Sequence, residues 1–109
     1  MMSLQAKLEE LYIPFLELPC DVSHYRRLAK KRYVVWSETG EENSFSADNK
    51  KKEQQLTGIV DFFTPREFDN IADMIQKILN NQEIGWTLDS IQYEEETNLI
   101  HYQWRWWIG

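Results

Sequence analysis

The sequence is poor in several features that mark common classes of protein. Its 109 residues include one cysteine, three prolines and four glycines. One cysteine, Cys20, permits no internal disulfide, which excludes a disulfide-stabilised scaffold and fits a reducing compartment. No apolar run approaches the roughly 20 residues that cross a membrane, and the N-terminus lacks the charged start and apolar centre of a signal peptide. We therefore expect the free protein to be cytoplasmic and soluble, with no membrane partner.

Positive charge is also scarce. Twelve Lys and Arg stand against eighteen Asp and Glu, so the net charge is −6. This balance disfavours general nucleic-acid binding, whose affinity comes from cations that neutralise phosphates. Apolar residues, by contrast, make up 42% of the sequence and aromatic residues 14%. Composition and length together predict one globular domain, residues 1–109, with more Trp and Tyr than a small core can hide.

The most regular stretch, residues 54–81, predicts a strand followed by an amphipathic helix. Residues 56–63 are mostly β-branched or aromatic, which suits a strand. Alternate positions form one apolar face: Leu56, Gly58, Val60 and Phe62. Thr64, Pro65 and Glu67 have the types and spacing of a capping box at the start of a helix over residues 65–80. That helix carries one apolar stripe: Phe68, Ile71, Ala72, Ile75 and Leu79.

The N-terminal half predicts a helix and further extended segments. Residues 3–12 have helical periodicity and a cap at Ser3, and the helix is expected to end before Pro14. Residues 15–18 then predict a short extended piece. Further along the chain, residues 33–36 predict a strand and residues 37–43 a loop. Residues 44–49 predict a second short strand or one side of a hairpin.

The C-terminal part predicts a hairpin. Residues 86–93 alternate imperfectly, residues 94–98 read as a turn, and residues 99–108 alternate cleanly. Together the elements predict an α+β fold with a mainly antiparallel sheet of about four to five strands and two helices packed on one face. The strand over residues 56–63 is expected to be central in that sheet.

The last predicted strand ends in an unusual run, Trp104-Arg105-Trp106-Trp107. Trp104 and Trp106 alternate with the apolar positions, and we interpret them as core. On the other face Trp107 is accompanied by Arg105 and His101, which makes it the candidate for a partner contact. Three functions fit such a surface: base stacking on single-stranded nucleic acid, a membrane-interface motif, and an anchor for another protein.

Cations are concentrated in the basic segment, residues 21–32. Beside His24 and Tyr25 it holds five cations: Arg26, Arg27, Lys30, Lys31 and Arg32. One interpretation is a phosphate-binding site. We prefer the other, a solvated loop whose cations balance an acidic protein, because a basic patch indicates nucleic acid only on a matching fold.

Catalytic chemistry has few candidates. Cys20 and His24 have the types of a thiol nucleophile and its base, but no third group orients them, and a lone Cys is more often a small buried hydrophobe. The two histidines and the cysteine are too scattered for metal-ligand spacing. No glycine-rich phosphate loop is present. We therefore expect a protein that is not an enzyme and has no cofactor or metal.

The order of the motifs along the chain is informative in itself. Residues 33–38 have the form aromatic-Val-Val-Trp-Ser-Glu, and an acidic turn and Ala47-Asp48-Asn49 follow. A long strand, the helix over residues 65–80 and a closing hairpin with alternating aromatics complete the pattern. In this order the chain resembles small tailed-phage and prophage proteins of the tail-terminator or tail-completion type. It departs from them in its basic segment, where a short loop is expected.

The resemblance implies a structural role without cofactor or catalytic residues. Such proteins assemble as rings, commonly hexameric, that cap the tail tube and join it to the head connector. The implied partners are copies of the chain, tail-tube and head-connector proteins, and the implied location is the virion head-tail junction. An alternative is a small module that binds nucleic acid or a regulatory protein through the basic segment and the aromatic strand. Candidate interface residues are Arg26, Arg27, Lys30, Lys31, Asp48, Asn49, His101, Arg105 and Trp107.

Overall fold

The computed structural model of the protein describes residues 3–41 and 55–108. These residues form two α-helices, one 3-10 helix and a five-stranded sheet. The helices are α1 (Leu4–Tyr12), the 3-10 helix (Ile13–Glu17) and α2 (Asn70–Asn81). The strands are β1 (Asp21–His24), β2 (Tyr33–Glu41), β3 (Leu56–Thr64), β4 (Gly85–Glu94) and β5 (Leu99–Ile108). The short strand or hairpin side predicted over residues 44–49 lies outside the described residues.

The strand order in the sheet is β1-β2-β3-β5-β4. β1 runs parallel to β2, and the other neighbouring pairs are antiparallel. The predicted α+β fold with a mainly antiparallel sheet is therefore confirmed, and β3 lies between β2 and β5 as predicted. The parallel strand β1 is an addition, because its four residues belong to a segment that the sequence predicted as a loop.

The main core lies between the helices and one face of the sheet, which we call the helix face. Trp36 and Trp106 stack there with ring centroids 4.7 Å apart and an interplanar angle of 8°. Each large apolar side chain buried in this layer contributes roughly 1.5–3 kcal/mol to stability. The predicted core role of Trp104 and Trp106 is confirmed. The other fully buried members are Phe15, Val34, Val60, Phe62, Ile71, Ile75 and Leu79.

The opposite face of the sheet, which we call the open face, has a smaller apolar cluster at one end. Tyr33 and Phe63 stack with centroids 4.7 Å apart, and Val35 and Leu99 are buried beside them. Leu28 packs against this cluster and brings the basic segment onto the open face. The segment is therefore attached to the sheet by an apolar contact as well as by charge.

The capping box predicted for the second helix is wrong. α2 begins at Asn70, and the Asp69 carboxylate caps it by accepting a hydrogen bond of 3.0 Å from the Ile71 amide. Thr64 is instead the buried last residue of β3, and its hydroxyl donates to Asp69 at 2.6 Å. Both residue types cap helices well, but Thr64 is paired with Ile100 in the sheet, whereas Asp69 directly precedes Asn70. Phe68, predicted in the apolar stripe, precedes the helix and is 95% exposed.

The N-terminal elements agree only in part with the prediction. The first helix is confirmed as α1, with the Ser3 hydroxyl accepting from the Ala6 amide. The extended piece predicted over residues 15–18 is wrong, because the chain continues as the 3-10 helix with Pro14 in its first turn. Proline is tolerated there because an amide in a first turn has no helical partner. The turn buries Phe15 in the main core.

The loop predicted over residues 37–43 is wrong for residues 37–41, which continue β2 to its end at Glu41. Ser37 pairs with Ile59 and Glu41 with Leu56 on β3, across a bulge between Glu38 and Gly40. Pairing with the central strand β3 overrides the turn-like composition of these residues. Strand formation depends on the neighbouring strand more than on the intrinsic preference of each residue.

Candidate interface

The candidate interface residues of the last strand lie on the open face, as predicted. His101, Arg105 and Trp107 alternate along β5 with side chains of the main core. Arg27 lies over the same face, with its guanidinium carbon 4.4 Å from the centre of the Phe63 ring. The structure thus brings Arg27 and His101 together through this ring, on which His101 stacks at 4.3 Å. Two further candidates lie outside the described residues: Asp48 and Asn49.

His101 is the centre of a polar network that connects three strands. Its Nε2 lies 2.6 Å from Asp61 Oδ1 on β3, and its Nδ1 lies 3.3 Å from Glu94 Oε2 on β4. Gln103 Nε2 donates to the same Asp61 oxygen at 3.1 Å. A carboxylate beside each ring nitrogen fixes the orientation of the imidazole, and the network contains no nucleophilic side chain.

Arg27 extends this network to the basic segment. Its Nη2 donates to Glu94 Oε1 at 2.5 Å. Burial raises the pKa of Glu94, but hydrogen bonds from Arg27 and Thr97 outweigh it, so this pKa lies below its ordinary value. Because the Arg27 side chain is more than half exposed, the pair contributes at most about 1 kcal/mol. Arg27 therefore helps to hold the basic segment against the sheet.

Trp107 and Arg105 are only partly committed to the fold. Trp107 is 39% exposed, and its indole covers Gly85 so closely that a Cβ there would lie 2.1 Å from Nε1. Arg105 Nη2 lies 3.8 Å from Asp89 Oδ1 at the surface. Both side chains keep exposed area, and Trp and Arg are the types that anchor protein interfaces most often.

The remaining cations of the basic segment divide into two groups. Arg32, which was not among the candidate interface residues, pairs with the buried carboxylate of Asp69 through two hydrogen bonds of 2.5 and 2.8 Å. The other cations are exposed and form no ion pair with the residues that the structure describes: Arg26, Lys30 and Lys31. These three are available for a partner.

An exposed apolar surface on β4 was missed by the sequence analysis. Leu88, Ile91 and Tyr93 lie on the helix face of this strand, where α2 does not cover them. Phe68, in the loop that precedes α2, joins them. We call these four residues the edge patch. Their exposed fractions are 38%, 54%, 60% and 95%, in that order. The imperfect alternation of this strand in the sequence was the one indication of the patch. A bulge between Leu88 and Ser90 puts Leu88 and Ile91 on one face despite their odd spacing.

A groove of about 270 Å³ separates the edge patch from α2. Tyr102 and Trp104 form its floor, with stacked rings 5.7 Å apart, and Trp104 Nε1 donates to Gln76 at 3.1 Å. Two acidic residues line it, the buried Asp69 and the exposed Asp73. Desolvation raises the pKa of Tyr102, and the charges of these two carboxylates raise it further. The groove therefore combines aromatic rings with one exposed carboxylate, that of Asp73.

The Cys20–His24 pair considered for catalysis is not assembled as a reactive thiol and base. Burial is the main cause that raises the pKa of Cys20 to about 11, so the thiol is protonated at neutral pH. His24 is committed elsewhere, with Nε2 2.8 Å from Glu38 Oε2 and its ring stacked between Tyr12 and Tyr25. Tyr25 donates a further hydrogen bond to the same carboxylate.

Within residues 3–41 and 55–108, no group of three or more His, Cys, Asp and Glu side chains has the geometry of a metal site. No helix in this part of the chain is long and apolar enough to cross a membrane. Comparison with protein-family models and with curated proteins finds no match to the chain. The interface geometry and the family resemblance are therefore the basis for a functional proposal.

Proposed function

We propose that this protein is a structural subunit of a phage or prophage tail end or head-tail joint. In this role it assembles into a ring with copies of itself and docks tail-tube and head-connector proteins. The observation that carries the proposal is the edge patch. Three large apolar side chains are exposed on an edge strand with a fourth, Phe68, beside them, and an exposed apolar edge of this kind is a site of association.

The two edges of the sheet differ from each other, as the proposed head-to-tail contact requires. One edge is β4, with ten residues in an antiparallel hairpin, and the other is β1, with four residues parallel to its neighbour. Head-to-tail contacts join two different side surfaces, and they close into a ring when the rotation from one subunit to the next closes.

The alternative module, which binds nucleic acid through the basic segment, has less support. Arg27 and Arg32 are engaged by Glu94 and Asp69 within the same chain. The basic segment is left with three exposed cations that pair with no described residue, and on a protein of net charge −6 these give weak phosphate binding. Salt-sensitive retention of single-stranded DNA by the purified protein would favour this alternative over the ring.

Light scattering coupled to size-exclusion chromatography tests the ring directly. We expect a mass of several times 13.1 kDa that shifts toward that value on dilution. Ile91→Asp puts a charge in the edge patch, and we expect it to reduce the mass to that of a single chain while the circular dichroism spectrum is unchanged.

Gln92→Asp is the matched control, because it adds the same charge to the neighbouring position of β4 on the other face. The control should assemble like the unaltered protein. A single-chain mass for the unaltered protein at high concentration, or a mass of two chains, contradicts the ring.

A further inference from the structure

The groove beside the edge patch has the composition of a site for a cationic side chain. Its lining includes the aromatic rings of Phe68, Tyr102 and Trp104 and the carboxylates of Asp69 and Asp73, and no described residue in it is Lys or Arg. Ammonium and guanidinium groups bind aromatic faces through the ring quadrupole and carboxylates through charge-assisted hydrogen bonds. The groove offers both kinds of partner at once.

The two carboxylates of the groove differ in availability. Asp69 is buried and already bound by Arg32, Thr64 and the α2 backbone. Asp73 is exposed on the first turn of α2 and has no ion pair with the described residues. Asp73 is therefore the carboxylate that an incoming cation can reach.

The chain itself carries cations that fit this groove. Arg26, Lys30 and Lys31 are exposed on the basic segment and are unpaired within the part of the chain that the structure describes. Arg27 and Leu28 hold that segment on the open face, whereas the groove is on the helix face. A head-to-tail contact joins two different surfaces, one from each copy. The groove of one copy and the basic segment of the next are different surfaces with opposite charge.

We propose that the groove between α2 and β4 receives the basic segment of a second copy, with Asp73 and the aromatic floor as the receptor and Lys30 and Lys31 as the principal inserted cations. The inference rests on the proposed ring and identifies its subunit contact. Phe68, Leu88 and Ile91 of the edge patch line one side of the groove. A seated segment would cover them and exclude water from the charged pairs, which strengthens these pairs.

Charge exchange between two variants tests this contact. Asp73→Lys makes the groove basic, and the double variant Lys30→Glu, Lys31→Glu makes the segment acidic. Alone, each variant should assemble at least about tenfold more weakly than the unaltered protein, because like charges meet at every contact. An equimolar mixture should recover assembly, since both contacts of an alternating ring are then complementary.

Glu83→Lys is the matched control for the groove variant, because it makes the same charge change as Asp73→Lys at an exposed position outside the groove. It should assemble normally. Circular dichroism melts of all variants establish that each is folded, and light scattering gives the assembled mass.

The outcomes separate this inference from the proposed function. Recovery in the mixture supports the contact. Weakened variants without recovery, or variants that assemble normally, overturn the contact while the ring stands. A single-chain mass for the unaltered protein overturns both.

Discussion

At the scale of single residues, position 58 requires glycine because its neighbours pack closely against it, and not because of its backbone conformation. A Cβ at this position would lie 2.0 Å from Cζ2 of Trp106 and 2.5 Å from the Ser37 carbonyl oxygen. Trp106 is fully buried and stacked on Trp36, so it has no free space to enter. Its Nε1 is buried without a hydrogen-bond partner in the described residues, which indicates that ring packing dominates this site.

We expect Gly58→Ala to lower the free energy of unfolding by about 1–3 kcal/mol, because the methyl group forces the packed ring and the backbone of β2 to move. Urea denaturation followed by tryptophan fluorescence measures the loss. Gly85→Ala is the matched control: its Cβ meets the half-exposed Trp107, which can rotate away. An equal loss in the two variants would contradict this account.

At the scale of elements, Asp69 connects three parts of the fold. It caps α2, accepts a hydrogen bond from Thr64 at the end of β3, and pairs with Arg32 of the basic segment. Burial raises the pKa of Asp69, but these hydrogen bonds outweigh it and lower the pKa from 3.8 to about 2. The folded state therefore favours the ionised carboxylate.

The lowered pKa of Asp69 makes stability depend on pH with a definite sign. Its contribution is present above the unfolded pKa of 3.8 and is lost as the pH falls toward 2. We expect Asp69→Asn to cost about 2–4 kcal/mol at pH 7 and to lose roughly 2 kcal/mol less than the unaltered protein between pH 5 and pH 2. Urea midpoints at several pH values measure both effects.

Asp89→Asn is the control for the charge change. Asp89 pairs with Arg105 at 3.8 Å on the surface, so its loss should change stability by less than about 1 kcal/mol at any of these pH values. Parallel acid curves for the unaltered protein and Asp69→Asn would show that Asp69 is not the group responsible.

Elements with strong periodicity were predictable from the sequence, and elements defined by a neighbour were not. α1, β3 and β5 have regular apolar spacing, and their bounds agree with the prediction to within one residue. The start of α2 was not predictable, because Thr64 and Asp69 are both good capping residues and only the sheet pairing shows that Thr64 belongs to β3. β1 is a four-residue strand stabilised by its pairing with β2, which local composition does not reveal.

At the scale of the whole molecule, the sequence predicted the open-face positions of the last strand but not what joins them. Alternation placed His101, Arg105 and Trp107 together. The network of His101 with Asp61 and Glu94 depends on the register of three strands, which no single segment specifies. The edge patch escaped prediction for a related reason, because the bulge in β4 interrupts its alternation.

Trp107 offers a test of how fold and assembly separate in the molecule. We expect Trp107→Ala to impair assembly and to lower the free energy of unfolding by only about 1–2 kcal/mol, because the ring is 39% exposed. Trp106→Ala, in the core, should cost about 3–5 kcal/mol. Chemical denaturation and light scattering on the same samples measure the two properties. A loss for Trp107→Ala as large as that for Trp106→Ala would place Trp107 in the core.

The backbone of Phe68 has a consequence for the energetics of association. This residue has φ +54°, a left-handed conformation that costs a side-chain-bearing residue about 1–2 kcal/mol. The cost is incurred when the chain folds, before any partner arrives. The backbone already presents the ring outward, so docking has less conformational entropy left to remove. In the proposed ring, the left-handed backbone of Phe68 thus lowers folding stability and holds an exposed ring ready for the contact.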